Sequence, residues 1–309
     1  MFNLRNRNMN NTTLAVALLL YLPLFANAQS QGAAACYEAL EGGKTEGALV
    51  HADKLLKADN KNREALLCKG RAHAELKQYN EGLAALQTAD KLSSGPSDHV
   101  VALLMIGNVQ KDAGKQAEAF ASYNEALDAA KAKNDKTLQR LALNIIGEMQ
   151  VDAGQTQEGL QSYLQGAGLA ANDNERGENY GRIAAAYSKL GNHEQAIEYQ
   201  VKATLMQERA GEPDEYANAG LELGRLYMAA KNYARAENAF KKVLKFAQEN
   251  GSAYWEARSN YMLGLNKAEQ GDVEGGRTLM LDAHHNARRI GAASLAAEIG
   301  NAMIKLPAK

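Results

Sequence analysis

Apolar and small residues recur along this chain at helical spacing, in paired blocks separated by short polar turns. The third block shows the unit. Val101, Leu103, Leu104 and Ile106 lead to Gly107, Gly114 interrupts, and Ala119, Tyr123 and Ala126 follow on one helical face. This predicts a helix, a turn and a second helix, and seven such blocks fall in register. A small residue stands at Cys36, Gly70, Gly107, Gly147, Ala184, Gly224 and Gly264. Twelve positions after each comes another, at Ala48, Gly82, Ala119, Gly159, Ala196, Ala236 and Gly276. Successive anchors lie 34, 37, 40, 37, 40 and 40 residues apart, a range that marks a repeat array. The small pair lets two helices cross closely, and Tyr123 supplies the volume that fills the space beside it. A mid-helix glycine costs roughly 1 kcal/mol against alanine, so close packing must repay the five glycine anchors.

The turn recurs too. Gly43, Gly114, Gly154, Gly191 and Gly271 stand seven residues after their anchors, with Lys77 and Lys231 in the other two blocks. A left-handed residue that ends a helix costs glycine nothing. Asn192, Asn232 and Asp272 come next and are expected to cap the second helices. After the seventh block, residues 292–305 read as one more amphipathic helix. Leu295, Ile299 and Met303 share its apolar face, which is expected to cover the last exposed edge of the array.

These slots resemble tetratricopeptide (TPR) repeats. The fourth block shows it in Leu143, Ile146, Gly147, Gly154, Gly159 and Tyr163, and the sixth in Leu223, Gly224, Tyr227, Tyr233, Ala236 and Phe240. The widened period resembles the extended variant of kinesin light chains and of bacterial peptide-sensing regulators. The resemblance implies an all-α fold: a right-handed superhelical α-solenoid of about seven helix hairpins with a C-terminal capping helix. It covers about residues 33–290, and the domain reading is a TPR array over 29–290 followed by the capping helix and tail over 291–309.

Composition narrows the setting. The chain is 46% hydrophobic but only 6% aromatic, with four prolines, which favours a nearly all-helical protein. Charges almost cancel, so no basic footprint for nucleic acid is present. Residues 1–28 differ from the rest. Arg5 and Arg7 precede an apolar run from Leu14 to Phe25, and Ala26, Asn27 and Ala28 form a small-x-small site. This reads as a signal peptide cut before Gln29. The run is too short, and too interrupted by Pro23, to span a bilayer. The expectation is a periplasmic or secreted protein with no stable membrane insertion after cleavage. Residues 33–36 faintly resemble a lipidation site, but Cys36 lies too far from the apolar run.

In TPR proteins the first helices line a concave groove that binds a peptide or a partner helix. Carrying the slots over gives a candidate lining of Arg71, Asn108, Lys111, Asn144, Glu148, Arg182, Arg225, Arg258 and Tyr261. The four arginines suit acidic groups or a C-terminal carboxylate, and Asn108 and Asn144 suit a peptide backbone. The competing reading is a set of solvated polar side chains. The carboxylate clamp of chaperone-binding TPRs is missing, since Leu67 and Leu104 fill slots where it needs polar groups.

Cys36 and Cys68, the two cysteines, sit on neighbouring first helices. An exported chain allows a disulfide between them, and two buried small hydrophobes is the alternative. The six histidines lack zinc-ligand spacing, and no catalytic motif or phosphate loop is present, so neither metal nor cofactor is expected. Trp255 is either a core anchor or a groove platform. The sequence thus points to a non-catalytic adaptor for a protein or peptide, with a peptide-sensing module as the alternative and an enzyme as a remote third.

Overall fold

The computed structural model describes residues 33–307, in which fifteen α-helices follow one another without a strand. The expected signal peptide, 1–28, lies outside the described residues. Chain contacts divide the protein into two units. Of the described residues, 33–170 belong to one and 171–307 to the other.

Four hairpins build the first unit. They are α1 (Ala34–Glu41) with α2 (Thr45–Ala58), α3 (Arg63–Glu75) with α4 (Tyr79–Lys91), α5 (Pro96–Asp112) with α6 (Gln116–Ala132), and α7 (Lys136–Asp152) with α8 (Thr156–Ala167). The second unit holds α9 (Asp173–Lys189) with α10 (His193–Ala210), α11 (Pro213–Ala229) with α12 (Tyr233–Glu249), α13 (Ala253–Glu269) with α14 (Val273–Arg289), and the lone α15 (Ala293–Lys305). Consecutive first helices also touch, α3 with α5 and α5 with α7 in one unit, α11 with α13 in the other.

The small pairs sit at the hairpin crossings. A Cβ on Gly147 would lie 2.7 Å from the Tyr163 ring and 3.0 Å from the Gly159 carbonyl oxygen. The plug stands sixteen positions after each glycine anchor: Leu86, Tyr123, Tyr163, Phe240 and Met280, all buried. Missing side chain on one helix is thus matched by bulk on the other, which keeps the interior close-packed.

The longer period is taken up by longer helices. α3 and α4 have 13 residues each, whereas α5, α6 and α7 have 17, as do α11 to α14. The increment is about one helical turn. All seven turn-slot residues are left-handed, with φ between 56° and 96°. Lys77 and Lys231 adopt that backbone despite carrying a Cβ, at a cost of roughly 1–2 kcal/mol each. Asn232 and Asp272 cap α12 and α14 by accepting from the Arg235 and Gly275 amides at 3.3 and 2.9 Å. Asn192 departs from expectation: its side chain makes no cap bond to α10.

Cys36 and Cys68 form a disulfide that ties α1 to α3, and both are fully buried among Leu40, Ala48, Ala52 and Ala72. Trp255 is a core residue, its indole N–H donating to Asp214 Oδ1 at 2.6 Å. On α15, Leu295 and Ile299 are buried and Met303 is partly buried, in one cluster with Met280 and Ala283 of α14. No described helix is long and apolar enough to cross a membrane.

Candidate binding faces on the first helices

In the first unit, the side chain of Asn108 on α5 is already engaged. Its Oδ1 accepts the Tyr123 hydroxyl at 2.6 Å. Burial drives the Tyr123 phenol far above its usual range, and nearby Asp112 and Glu148 push it the same way, so it stays a neutral donor. Lys111 lies 3.8 Å from Glu148, bridging α5 to α7. Burial also raises the Asp112 carboxyl, with Lys111 partly offsetting it. On α3, Arg71 donates to Glu75 at 3.2 Å. Arg63, which the sequence did not single out, reaches from α3 to α5 and pairs with Glu64 at 3.0 Å and Asp98 at 3.7 Å.

Asn144 is a correction. It is 1% exposed and lies among Leu143, Ile145 and Ile146, so it does not line an open face. The slot explains why. Leu67, Leu104 and Leu221 occupy the same place three residues before their anchors, and all are buried. Tyr261 shares that slot and is 6% exposed. Burial raises its phenol and Glu298 adds to the rise, while Arg258 and Arg225 oppose it.

In the second unit the arginines are not open cations. Arg225 pairs with Glu222 at 3.2 Å, and Arg258 lies 3.6 Å from Glu298 and 3.3 Å from the Tyr254 hydroxyl. Arg182 faces Glu215, whose carboxyl is raised by burial and then by Glu178, Asp214 and Glu212, with Arg182 holding it down. Arg71, Arg225 and Arg258 each pair with a carboxylate of this same chain, and Arg182 acts electrostatically on Glu215. An acidic ligand must displace those pairs or share them, which weakens the reading of a simple anion groove.

The sequence reading also missed two recurring polar stitches. Ser122 donates to Gln110 and Ser162 to Gln150, both at 2.7 Å, at matching positions of successive hairpins. It missed an aromatic group as well. Tyr187 stacks on Tyr199 at 5.5 Å, Tyr180 meets that ring edge-on at 5.8 Å, and the Lys202 ammonium lies 4.5 Å from its centre. Matching offsets from the anchors were the available signal. Among the described residues no group of three His, Cys, Asp or Glu is placed to hold a metal ion.

Family models match three of the hairpins. Tetratricopeptide repeat models match residues 175–249, which take in α10, α11, α12 and most of α9, and residues 100–133, most of α5 with α6. The chain is a TPR repeat protein. Several solved structures share its all-α helical-repeat solenoid fold. A signal transduction ATPase (STAND) protein with a tetratricopeptide repeat sensor from Pyrococcus horikoshii aligns with TM-score 0.66 at 17% identity, over 85% of this chain. The match spans 43% of that protein, less than half its length. The apo form of RapI aligns with TM-score 0.57 at 14% identity, over 79% of this chain and 97% of that one. A Rap protein complexed with Competence and Sporulation Factor aligns with TM-score 0.52 at 13% identity, over 85% of both chains. At such identities the likeness concerns fold alone. No curated protein matches this TPR chain in sequence.

Proposed function

We propose that this TPR protein is a non-catalytic adaptor, exported to the periplasm, that holds a peptide segment or an envelope protein across its first helices. The observation that carries the reading is the half-buried polar set repeated on those helices, Asn108, Lys111 and Glu148 in one unit and Arg182, Glu215 and Arg258 in the other, with the exposed Arg225 beside it. Paired, partly desolvated charges add little stability, yet they can exchange partners with a polar peptide at small net cost. Arg225 is the exposed member of the arginine set and the entry point for a test. A photoreactive residue in place of Arg225 should capture a protein partner in cells, and one in place of Lys241 on the exposed side of α12 should not. Capture from Lys241 alone overturns the assignment. Fractionation and N-terminal sequencing should find the mature chain in the periplasm, starting at Gln29.

A peptide sensor is the second reading, favoured by the 40-residue spacing and by the Rap protein whose structure holds Competence and Sporulation Factor. In that case a captured peptide changes the scattering radius of the chain. In the adaptor reading the radius is unchanged on binding.

A further inference from the structure

The last described helix of the second unit, α15, carries an open face where the other first helices of that unit receive a second helix. In each complete hairpin of this unit, a row of small residues on the first helix receives the second helix. Gly177 on α9 lies against Gln207 of α10, Gly220 and Gly224 on α11 against Val243 and Phe240 of α12, and Gly264 on α13 against Met280 of α14. On α15 the equivalent row is Ala297, Gly300 and Ile304, forty residues past Ala257, Asn260 and Gly264. Among the described residues no second helix covers it. A Cβ on Gly300 would meet nothing closer than His284 Nε2 at 3.9 Å. Ile304 is 82% exposed, standing where every complete hairpin has a small buried anchor. An open cleft of about 490 Å³ runs along this row, walled on the α14 side by His284 and Arg288.

We infer that this cleft is a self-association surface, filled by α15 of a second copy of the chain. Three features of the cleft select that occupant. The first is direction. A helix seated on this row as the second helices of the other hairpins are runs antiparallel to α15, and a two-fold axis across α15 delivers its copy in that direction. The second is spacing. Ala293, Ala297, Gly300 and Ile304 follow one another by four, three and four residues, the seam of a helix pair. The third is size. Paired antiparallel about the midpoint between Glu298 and Ile299, Ile304 of one copy meets Ala293 of the other, and Ala297 meets Gly300. The bulky end is matched to the small end on both sides of the axis, so one row complements itself. Charge agrees. Arg288 lines the cleft near Ala293, where the C-terminal turn of the incoming α15 would lie, and cations suit the unpaired carbonyls of such a terminus. The surface is separate from the polar face proposed for the partner, so either can fail without the other.

Sedimentation velocity on the purified chain tests the pairing. The wild type is expected to be a dimer, and Ile304→Glu a monomer with unchanged helical circular dichroism and affinity reduced about tenfold or more. A geometric check avoids any doubt about folding. Mixed Ala293→Cys and Ile304→Cys chains should cross-link on oxidation, because Cys36 and Cys68 are already bonded to each other. Neither variant alone should cross-link, since like positions lie about 16 Å apart across the axis. A wild-type monomer at all concentrations overturns the inference, as does a dimer that Ile304→Glu leaves intact. Binding of an acidic amphipathic peptide to a monomeric chain at this cleft overturns it in favour of a foreign helix.

Discussion

The hairpin α7/α8 of the first unit and the hairpin α9/α10 of the second solve one packing problem in opposite ways. In α7/α8 the anchor is Gly147, and the Tyr163 ring fills the space its missing side chain leaves. In α9/α10 the anchor is Ala184, and the plug position holds Gln200, buried and donating to the Ala219 carbonyl at 2.9 Å. One methyl on the first helix excludes a ring from the second. The aromatic volume moves instead to Tyr187 and Tyr199, where the first unit's hairpins keep the Gln110–Ser122 and Gln150–Ser162 stitches. The two hairpins therefore share a crossing and differ in which layer carries the bulk, while α11/α12 of the second unit keeps the glycine-and-ring pairing of Gly224 and Phe240.

The most severe way to break this comparison is Gly147→Leu. Its new side chain enters space already held by Tyr163 and the Gly159 carbonyl, and the expected loss is about 3 kcal/mol or more. Ala184→Gly, which adds a cavity and a flexible residue but no clash, should cost only about 1 kcal/mol. Chemical denaturation of both variants decides the matter. Equal losses would mean that the anchor methyl does not govern the choice of plug. Each repeat contacts its neighbours, so hydrogen exchange should show the Gly147→Leu damage concentrated in 33–170.

Removing the disulfide comes next. Cys36 and Cys68 close a loop of 32 residues in the first unit. Their joint replacement by serine should cost roughly 3 kcal/mol, read as faster exchange of α1 to α3. The second unit, with no such tie, should keep its exchange rates. A uniform acceleration across 171–307 would show that the two units unfold as one.

A smaller change probes the polar layer. Tyr123→Phe keeps the ring beside Gly107 and deletes the hydroxyl that Asn108 accepts. The expected cost is about 1 kcal/mol, since Asn108 loses a partner at a half-buried site. A neutral result would place water on Asn108 and release it as a binding group.

The repeat and its crossings were legible in the sequence because they are periodic. Gly107, Gly114, Ala119 and Tyr123 announce a hairpin through spacing alone, and the left-handed φ of Lys77 and Lys231 follows from the slot they share with five glycines. The face was harder. Lys111 finds Glu148 across 37 positions, and Arg258 finds Glu298 across 40, so neither pair is visible as a local motif. Asn144 and Tyr261 read as polar lining by residue type. Their slot, filled by leucine at 67, 104 and 221, was the better guide to burial. Position in the repeat outranks chemistry when the two conflict.

The gentlest test concerns Glu215, which sits on α11 among Glu178, Asp214 and Glu212 with Arg182 as its counter-charge. Burial leads the causes that raise its carboxyl above the usual 4.5, so the folded state holds this proton more tightly than the unfolded chain does. Stability from this group is therefore highest below pH 4.5 and declines as pH rises through the raised value, with the full cost present at neutrality. Glu215→Gln removes the charge and keeps the shape. Its melting temperature should exceed that of the wild type at pH 7 and match it near pH 4. The equivalent change in the first unit, Asp112→Asn, should behave alike, since burial raises that carboxyl too. A lower melting temperature for Glu215→Gln at pH 7 would mean that attraction to Arg182 outweighs burial. The second unit would then use its buried charge as a structural tie, where the first unit uses the neutral bond from Tyr123 to Asn108.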